Sequence, residues 1–232
     1  MDKRVEAVIV SRLSAAFPEY GFLCEEGSTA ATPDNDNAPI RWVIDPIDGT
    51  TSFLHGHPCF SISIALQEVA TGQSLVGVVY GPMMDEMFVA VKGHGATVNG
   101  KAMHVSDVPS LKHSLVSTGF TPDRRTVSAK ESNLAYFNAM IMEIQGSRRN
   151  GSAALDLSYV AMGRQDAYYE LKLKPWDIAA GVLLVHEAGG KVTDYDGNPV
   201  DLCAKLINVF GSNGIVHDEA VAVFKKVKES DE

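Results

Sequence analysis

Disulfide chemistry has little raw material in this chain: three cysteines, Cys24, Cys59 and Cys203, are scattered over 232 residues without a C-x-x-C pair. An odd number of dispersed thiols suits a reducing compartment and excludes a disulfide-stapled miniprotein. The three read as buried free thiols. Positive charge is also short, with Lys+Arg 20 against Asp+Glu 29 and a net charge of -9. Because the basic residues do not cluster, nucleic-acid phosphates and anionic lipid would be repelled. No 18 apolar residues run together, and charge interrupts the apolar residues of the N-terminal segment, so no span, signal peptide or anchor is indicated. These absences lead to the expectation of a cytoplasmic protein with neither a nucleic-acid nor a membrane partner.

A hydrophobic content of 45% and a mean hydropathy of -0.01 are ordinary globular values. Val5, Val8, Ile9, Leu13, Ala16 and Phe17 keep helical spacing until Pro18. Residues 27–39 carry turn residues without a period and read as a surface loop. Arg41 to Asp45 reads as a short strand. Phe60, Ile62, Ile64 and Leu66 alternate with Ser61, Ser63 and Ala65, a strand covered on both faces. It is expected to pair as an antiparallel hairpin with Leu75 to Tyr80, and Glu86 to Lys92 adds a third strand. Asn99-Gly100 marks a sharper hairpin. Past Leu115 to Gly119, helices are expected over roughly 128–143, 153–162 and 177–188, with strands at 166–170, 190–194 and 206–210. The chain therefore reads as one α/β domain over 1–232, with an antiparallel lobe over about 1–119 and a smaller α/β lobe over about 120–232. No long linker or internal repeat separates them.

Chemistry is densest at Asp45-Pro46-Ile47-Asp48-Gly49-Thr50-Thr51, directly after Trp42-Val43-Ile44. Pro46 restricts the turn so that two carboxylates can face one point, and the Ile47 carbonyl can join them around a hard cation. The amides of Gly49 and the threonines would suit a phosphate oxygen. Local spacing also allows a plainer account in which Asp45 ends a strand and Asp48 caps a helix. Glu25-Glu26 closes the strand-like Phe22-Leu23-Cys24. Asp177 opens a helix rich in small residues, and Glu170 ends a strand. Each has a default role as a loop charge, a cap or a strand-end acid.

DPIDGTTSF at 45–53, WDIAAGVLLVHEAGG at 176–190 and the acidic pair after Phe22-Leu23-Cys24 resemble the inositol monophosphatase family of magnesium-dependent, lithium-sensitive phosphatases. RRNGSAALDL at 148–157 and DAYYE at 166–170 also fit, so the likeness runs through nearly the whole chain in order. It implies a layered α-β-α-β-α sandwich, a homodimer and hydrolysis of a small phosphate monoester, foremost inositol monophosphate. Fructose 1,6-bisphosphate, phosphoadenosine phosphate and histidinol phosphate are the alternatives. Carried over by residue, the resemblance makes Glu25, Asp45, Ile47 through its carbonyl, Asp48 and Asp177 ligands of Mg²⁺, with Glu26 outside the set. Thr50, together with Asp2 and Glu25, would serve the attacking water. Gly49 and Thr50, beside Asp48 and Asp177, would hold the phosphate. Gly151, Ser152, Ala153 and Glu170 would meet the hydroxyl-bearing part of the substrate.

Elementary electrostatics agrees with a cation. Two carboxylates about 4 Å apart repel by roughly 4 kcal/mol at an effective dielectric of 20, so collecting four of them calls for positive charge. Against the family pattern, the chain starts in the middle of the first block, with Asp2 as that block's acid. The usual preceding helix and lysine-bearing loop are expected to be absent, which opens a second reading as a metal-binding interaction protein with impaired turnover. His55 and His57 lack the further ligands of a zinc site. His186-Glu187 reads as structural or surface, Met83, Met84 and Met87 as core or interface filler. Arg148-Arg149 reads as a surface salt bridge or, alternatively, a grip on a second phosphate or a carboxylate.

Overall fold

The computed structural model describes residues 1–28, 38–120 and 133–229. Its first helix, α1 (Asp2–Ala16), ends before Pro18, which has no N–H to continue the ladder. The buried face of α1 is Glu6 and Val10, one turn apart, whereas Val8 and Phe17 of the expected apolar stripe are largely exposed. Glu6 belongs inside because its carboxylate accepts the Glu26 and Ser28 N–H groups, each at 2.9 Å.

Seven strands follow in one sheet: β1 (Gly21–Cys24), β2 (Ile40–Asp48), β3 (Ser61–Glu68), β4 (Ser74–Gly81), β5 (Glu86–Val91), β6 (Ala96–Val98) and β7 (Lys101–Ala102). The short helix α2 (Thr50–Leu54) sits between β2 and β3. All neighbours pair antiparallel except β1 with β2, which run parallel, a departure from the wholly antiparallel expectation. Most of the loop joining those two strands, at 29–37, falls outside the described residues. Asn99 and Gly100 both have positive φ, 49° and 75°, as a tight hairpin requires.

A second sheet has the order β11-β12-β10-β8-β9, built from β8 (Leu115–Thr118), β9 (Gly146–Arg148), β10 (Ala167–Leu173), β11 (Lys191–Thr193) and β12 (Ile207–Ser212). Between the sheets lie α4 (Ala153–Ala161) and α5 (Pro175–Glu187), buried along almost their whole lengths. On the far side of the second sheet, α3 (Leu134–Met140) and α6 (His217–Glu229) enclose an aromatic layer of Tyr136, Tyr169, Tyr195, Phe210 and Phe224. With α1 outside the first sheet, the order is the expected α-β-α-β-α. The helix expected over 128–143 is described only from Leu134, and it ends at Met140.

Close approach explains the small residues on β3 and β4. Ser61, Ser63, Ala65 and Gln67 form the more deeply buried face of β3, while Ile62, Ile64 and Leu66 are half-buried. Ser63 Oγ donates to the Trp176 carbonyl at 3.2 Å and Ser74 Oγ to the Ala179 carbonyl at 2.8 Å. A Cβ on Gly77 would stand 2.8 Å from the Ala180 carbonyl oxygen, so α5 lies nearly in backbone contact with the sheet.

Several side-chain expectations need correction. Only Cys24 is a buried thiol; Cys59 is half-buried and Cys203 exposed, on a loop where its N–H is capped by Asp201. Met83, Met84 and Met87 are 57%, 49% and 42% exposed, so they are not core filler: the first two sit on the β4–β5 turn and the third at the start of β5. Glu187 is structural, accepting the Gly93 and Gly95 N–H groups at 2.8 Å each.

Candidate active site

The end of β2 is shaped by an irregularity. Asp45 pairs with Ser63 and Asp48 with Ser61, so three steps on β2 oppose two on β3, a bulge at Pro46-Ile47 where proline has no hydrogen to give the ladder. Asp45 Oδ1 accepts the Ile47 N–H at 3.0 Å. Gly49 follows in the left-handed region at φ 92°, and a Cβ there would lie 3.0 Å from the carbonyl oxygens of both Cys59 and Gly151. Glycine is therefore required where the metal-type motif meets the 149–151 loop.

A cavity of about 380 Å³ opens at this point. Glu25, Asp45, Ile47, Asp48, Gly49, Thr50, Gly151, Ala153, Glu170 and Asp177 line it, so the residue after β1 and residues of β2, α4, β10 and α5 come to one place as expected. Two expected residues do not line it. Asp2 stands behind, within 3.4 Å of Thr50 Oγ1, which is closer to the Ile47 carbonyl at 3.2 Å. Ser152 is 1% exposed; its hydroxyl donates to Asp48 Oδ2 at 2.6 Å and accepts from the Leu155 N–H as the α4 cap. The expectation that Ser152 touches substrate is thus replaced by a role in holding Asp48, to which the Ala154 N–H also donates at 2.7 Å.

Burial and mutual repulsion dominate the electrostatics. Asp45 is 2% exposed and its carboxyl is pushed well above its ordinary range by desolvation, then by Asp48, Glu25 and Asp177. Glu25 is raised by burial and lies within hydrogen-bonding reach of Asp45. Burial lifts Asp48 to about 6 despite its bonds from Ser152 and Ala154. Asp177 is raised well above the carboxylate range by burial and Asp48; its Oδ2 accepts the Lys174 N–H at 2.7 Å. Hard oxygen donors that oppose one another's ionisation are the set a divalent cation fits, and their buried positions confine it to one cavity. Among the described residues, no three His, Cys, Asp or Glu side chains form a ready-made ion cage. Asp45, Asp48 and Asp177 are instead engaged by nearby N–H and O–H groups.

Sequence reasoning missed several residues. Gly119, Lys172 and Lys174 line the cavity, as does Arg149, which was noted without a place. Lys172 has φ 60°, a left-handed conformation at the β10 irregularity. Asp156 is wholly buried, accepts from Asn150 at 2.6 Å and is lifted by desolvation to about 7, which ties the 149–151 loop to α4. Proximity to RRNG was its only signal. His55 and His57 are exposed, and His186 lines a separate cavity of about 340 Å³.

An acid-lined cavity where residues of both sheets meet, in a layered sandwich of two sheets and six helices among the described residues, defines the class: a mixed α/β fold with a candidate active site. The chain belongs to the inositol monophosphatase family, whose model matches residues 1–229. The inositol-1-monophosphatase of Synechocystis sp. is 42% identical over 220 residues, 94% of this chain and 73% of that protein. Nus factor SuhB of Xylella fastidiosa is 44% identical over 197 residues, 85% of this chain and 68% of its own length. The solved inositol monophosphatase of Anabaena (Nostoc) sp. PCC 7120 superposes with a TM-score of 0.89 at 41% identity, covering 97% of this chain and 86% of that one. A more distant solved neighbour, an IMPase/NADP phosphatase complexed with Mg²⁺ and phosphate, is 27% identical with a TM-score of 0.80, covering 96% and 79%. This protein is a phosphatase of phosphate monoesters. Among the described residues no helix is long and apolar enough to cross a membrane.

Proposed function

We propose that the chain hydrolyses inositol monophosphate to inositol and phosphate with Mg²⁺, as one unit of two lobes that pairs into a homodimer in the cytoplasm. The observation that carries this reading is the convergence of Glu25, Asp45, the Ile47 carbonyl, Asp48 and Asp177 on one cavity that also receives Glu170. Those five positions would hold Mg²⁺. Bound there, the ion supplies positive charge that offsets the carboxylates and stabilises charge developing on phosphoryl and leaving oxygens.

The chain's own residues do the positioning. Thr50, with Ile47 and Asp2 as acceptors for its hydroxyl hydrogen, is suited to orient the attacking water, with Glu25 nearby as its proton acceptor. Gly49 and Thr50 approach the phosphate by backbone. Ser152 and the Ala154 amide keep Asp48 aimed. Gly151, Ala153 and Glu170 would receive the alcohol part, and Arg149 at the cavity wall adds a donor fork for an anionic oxygen. Since a phosphoryl group transfers mainly by positioning and charge stabilisation, this inventory is sufficient.

The test is phosphate release from inositol monophosphate, fructose 1,6-bisphosphate, phosphoadenosine phosphate and histidinol phosphate, with Mg²⁺ or with chelator. The expected result is Mg²⁺-dependent turnover with inositol monophosphate preferred. Mg²⁺-independent turnover, or preference for another ester, would overturn the metal or the substrate assignment respectively.

A further inference from the structure

Glu170 reaches the cavity from β10, two residues beyond Tyr168 and therefore on the same face of the strand. Tyr168 is completely buried in the core between the sheets and does not line the cavity. A buried phenol hydroxyl requires a partner, and this one donates to Glu170 Oε2 at 2.6 Å. One oxygen of the carboxylate is thereby fixed, which leaves Oε1 to receive a hydrogen from a substrate hydroxyl.

The neighbouring strand constrains the same carboxylate. Gly119 directly follows β8, which runs parallel to β10. A Cβ at Gly119 would fall inside the Glu170 carboxylate. The Gly119 backbone is not in the left-handed region, so an L-residue could adopt it and only space demands glycine.

We propose that Tyr168 and Gly119 form a seat that sets the Glu170 carboxylate, making Tyr168 a positioning residue for recognition of the substrate's alcohol hydroxyls. The proposal rests on the reading of Glu170 as the residue that meets those hydroxyls. Tyr168 acts only through Glu170, by holding one oxygen, and Gly119 by leaving room for the carboxylate to lie against β8. Neither group takes part in phosphoryl transfer.

The test compares KM and kcat for inositol monophosphate with those for phenyl phosphate, which has a scissile phosphate but no alcohol hydroxyl, in Tyr168→Phe, Gly119→Ala, Glu170→Ala and the double variant Tyr168→Phe/Glu170→Ala. Losing a hydrogen bond to a charged group predicts a rise of roughly tenfold in KM for inositol monophosphate in Tyr168→Phe, with kcat within about twofold. Phenyl phosphate kinetics should not move, and adding Tyr168→Phe to Glu170→Ala should cost nothing further. Gly119→Ala, which retains the phenol, should raise KM for inositol monophosphate at least as much and carries the test if Tyr168→Phe does not fold. Equal losses on both substrates, or an unchanged KM for inositol monophosphate in both seat variants, overturn the seat. If Glu170→Ala itself leaves that KM unchanged, the assignment of Glu170 falls and the seat with it.

Discussion

Two of the helix–sheet interfaces in the sandwich are built from opposite materials. Against the seven-stranded sheet, α5 packs through Ser63, Ser74, Gly77, Ala179 and Ala180, and side-chain hydroxyls bond helix carbonyls directly. Beyond the five-stranded sheet, α3 and α6 pack through rings: Tyr195 and Phe224 stack at 4.4 Å, and Tyr136 meets Tyr195 edge-on at 4.8 Å. The first interface carries Asp177 of α5 and the end of β2, where an error of an ångström misplaces a proposed metal ligand. The second carries none of the cavity's acids. Backbone contact transmits position; a broad aromatic layer supplies stability.

The contrast breaks most visibly at Phe224. Truncating it to alanine should cost about 3–5 kcal/mol in urea unfolding, yet leave kcat of the folded fraction within about twofold. His217, at the start of α6, sharpens the account of the same region. It is fully buried between Ser212 and Thr193, and desolvation lowers its pKa to about 4. The depressed value means that the unfolded chain binds the proton first, so the stability this neutral ring contributes is present above about 6.5 and is lost as pH falls towards about 4. Asp156, raised to about 7, acts in the opposite sense, losing stability as pH rises through its window. Measured as a difference between wild type and His217→Gln, wild type should therefore lose up to about 3 kcal/mol more on going from pH 7 to pH 4.

On the site side, Gly77→Ala should cost only about 1–3 kcal/mol, because the helix can back away from the added methyl group. That displacement carries Asp177 with it, so kcat should fall at least tenfold, as misplacement of a positioned group predicts. A Phe224→Ala variant that loses activity while Gly77→Ala keeps it would reverse the comparison. The smallest effect is at Lys172, whose φ of 60° suits glycine: Lys172→Gly should raise the denaturant midpoint, by about 0.5–1 kcal/mol in stability.

Legibility from sequence followed chain distance. Asp45, Ile47 and Asp48 could be grouped because they are neighbours, and hairpins such as Asn99-Gly100 because turn chemistry is local. The parts that Glu6, Tyr168 and Gly119 play were not legible. Glu6 acts on residues twenty or more positions away, and Gly119 owes its identity to a carboxylate 51 residues later. Ser152 was placed in the correct loop but on the wrong partner, since a serine before a helix does not disclose that an aspartate 104 residues earlier takes its hydrogen. Alternation in β3 identified the strand but left hidden that its serine face is the deeper one; that preference comes from the small residues of α5.

The central claim is that Glu25 after β1 and the acids of β2 and α5 make one cation site. Its most direct measurement is Mn²⁺ binding, followed by the electron-spin signal of free Mn²⁺ in competition with Mg²⁺, for the wild-type chain and for Asp45→Asn and Asp177→Asn. The account predicts saturable binding displaced by Mg²⁺ in the wild type and weakened at least tenfold in each variant, in parallel with loss of phosphate release. Undiminished Mn²⁺ binding in both variants, with folding intact, would contradict it.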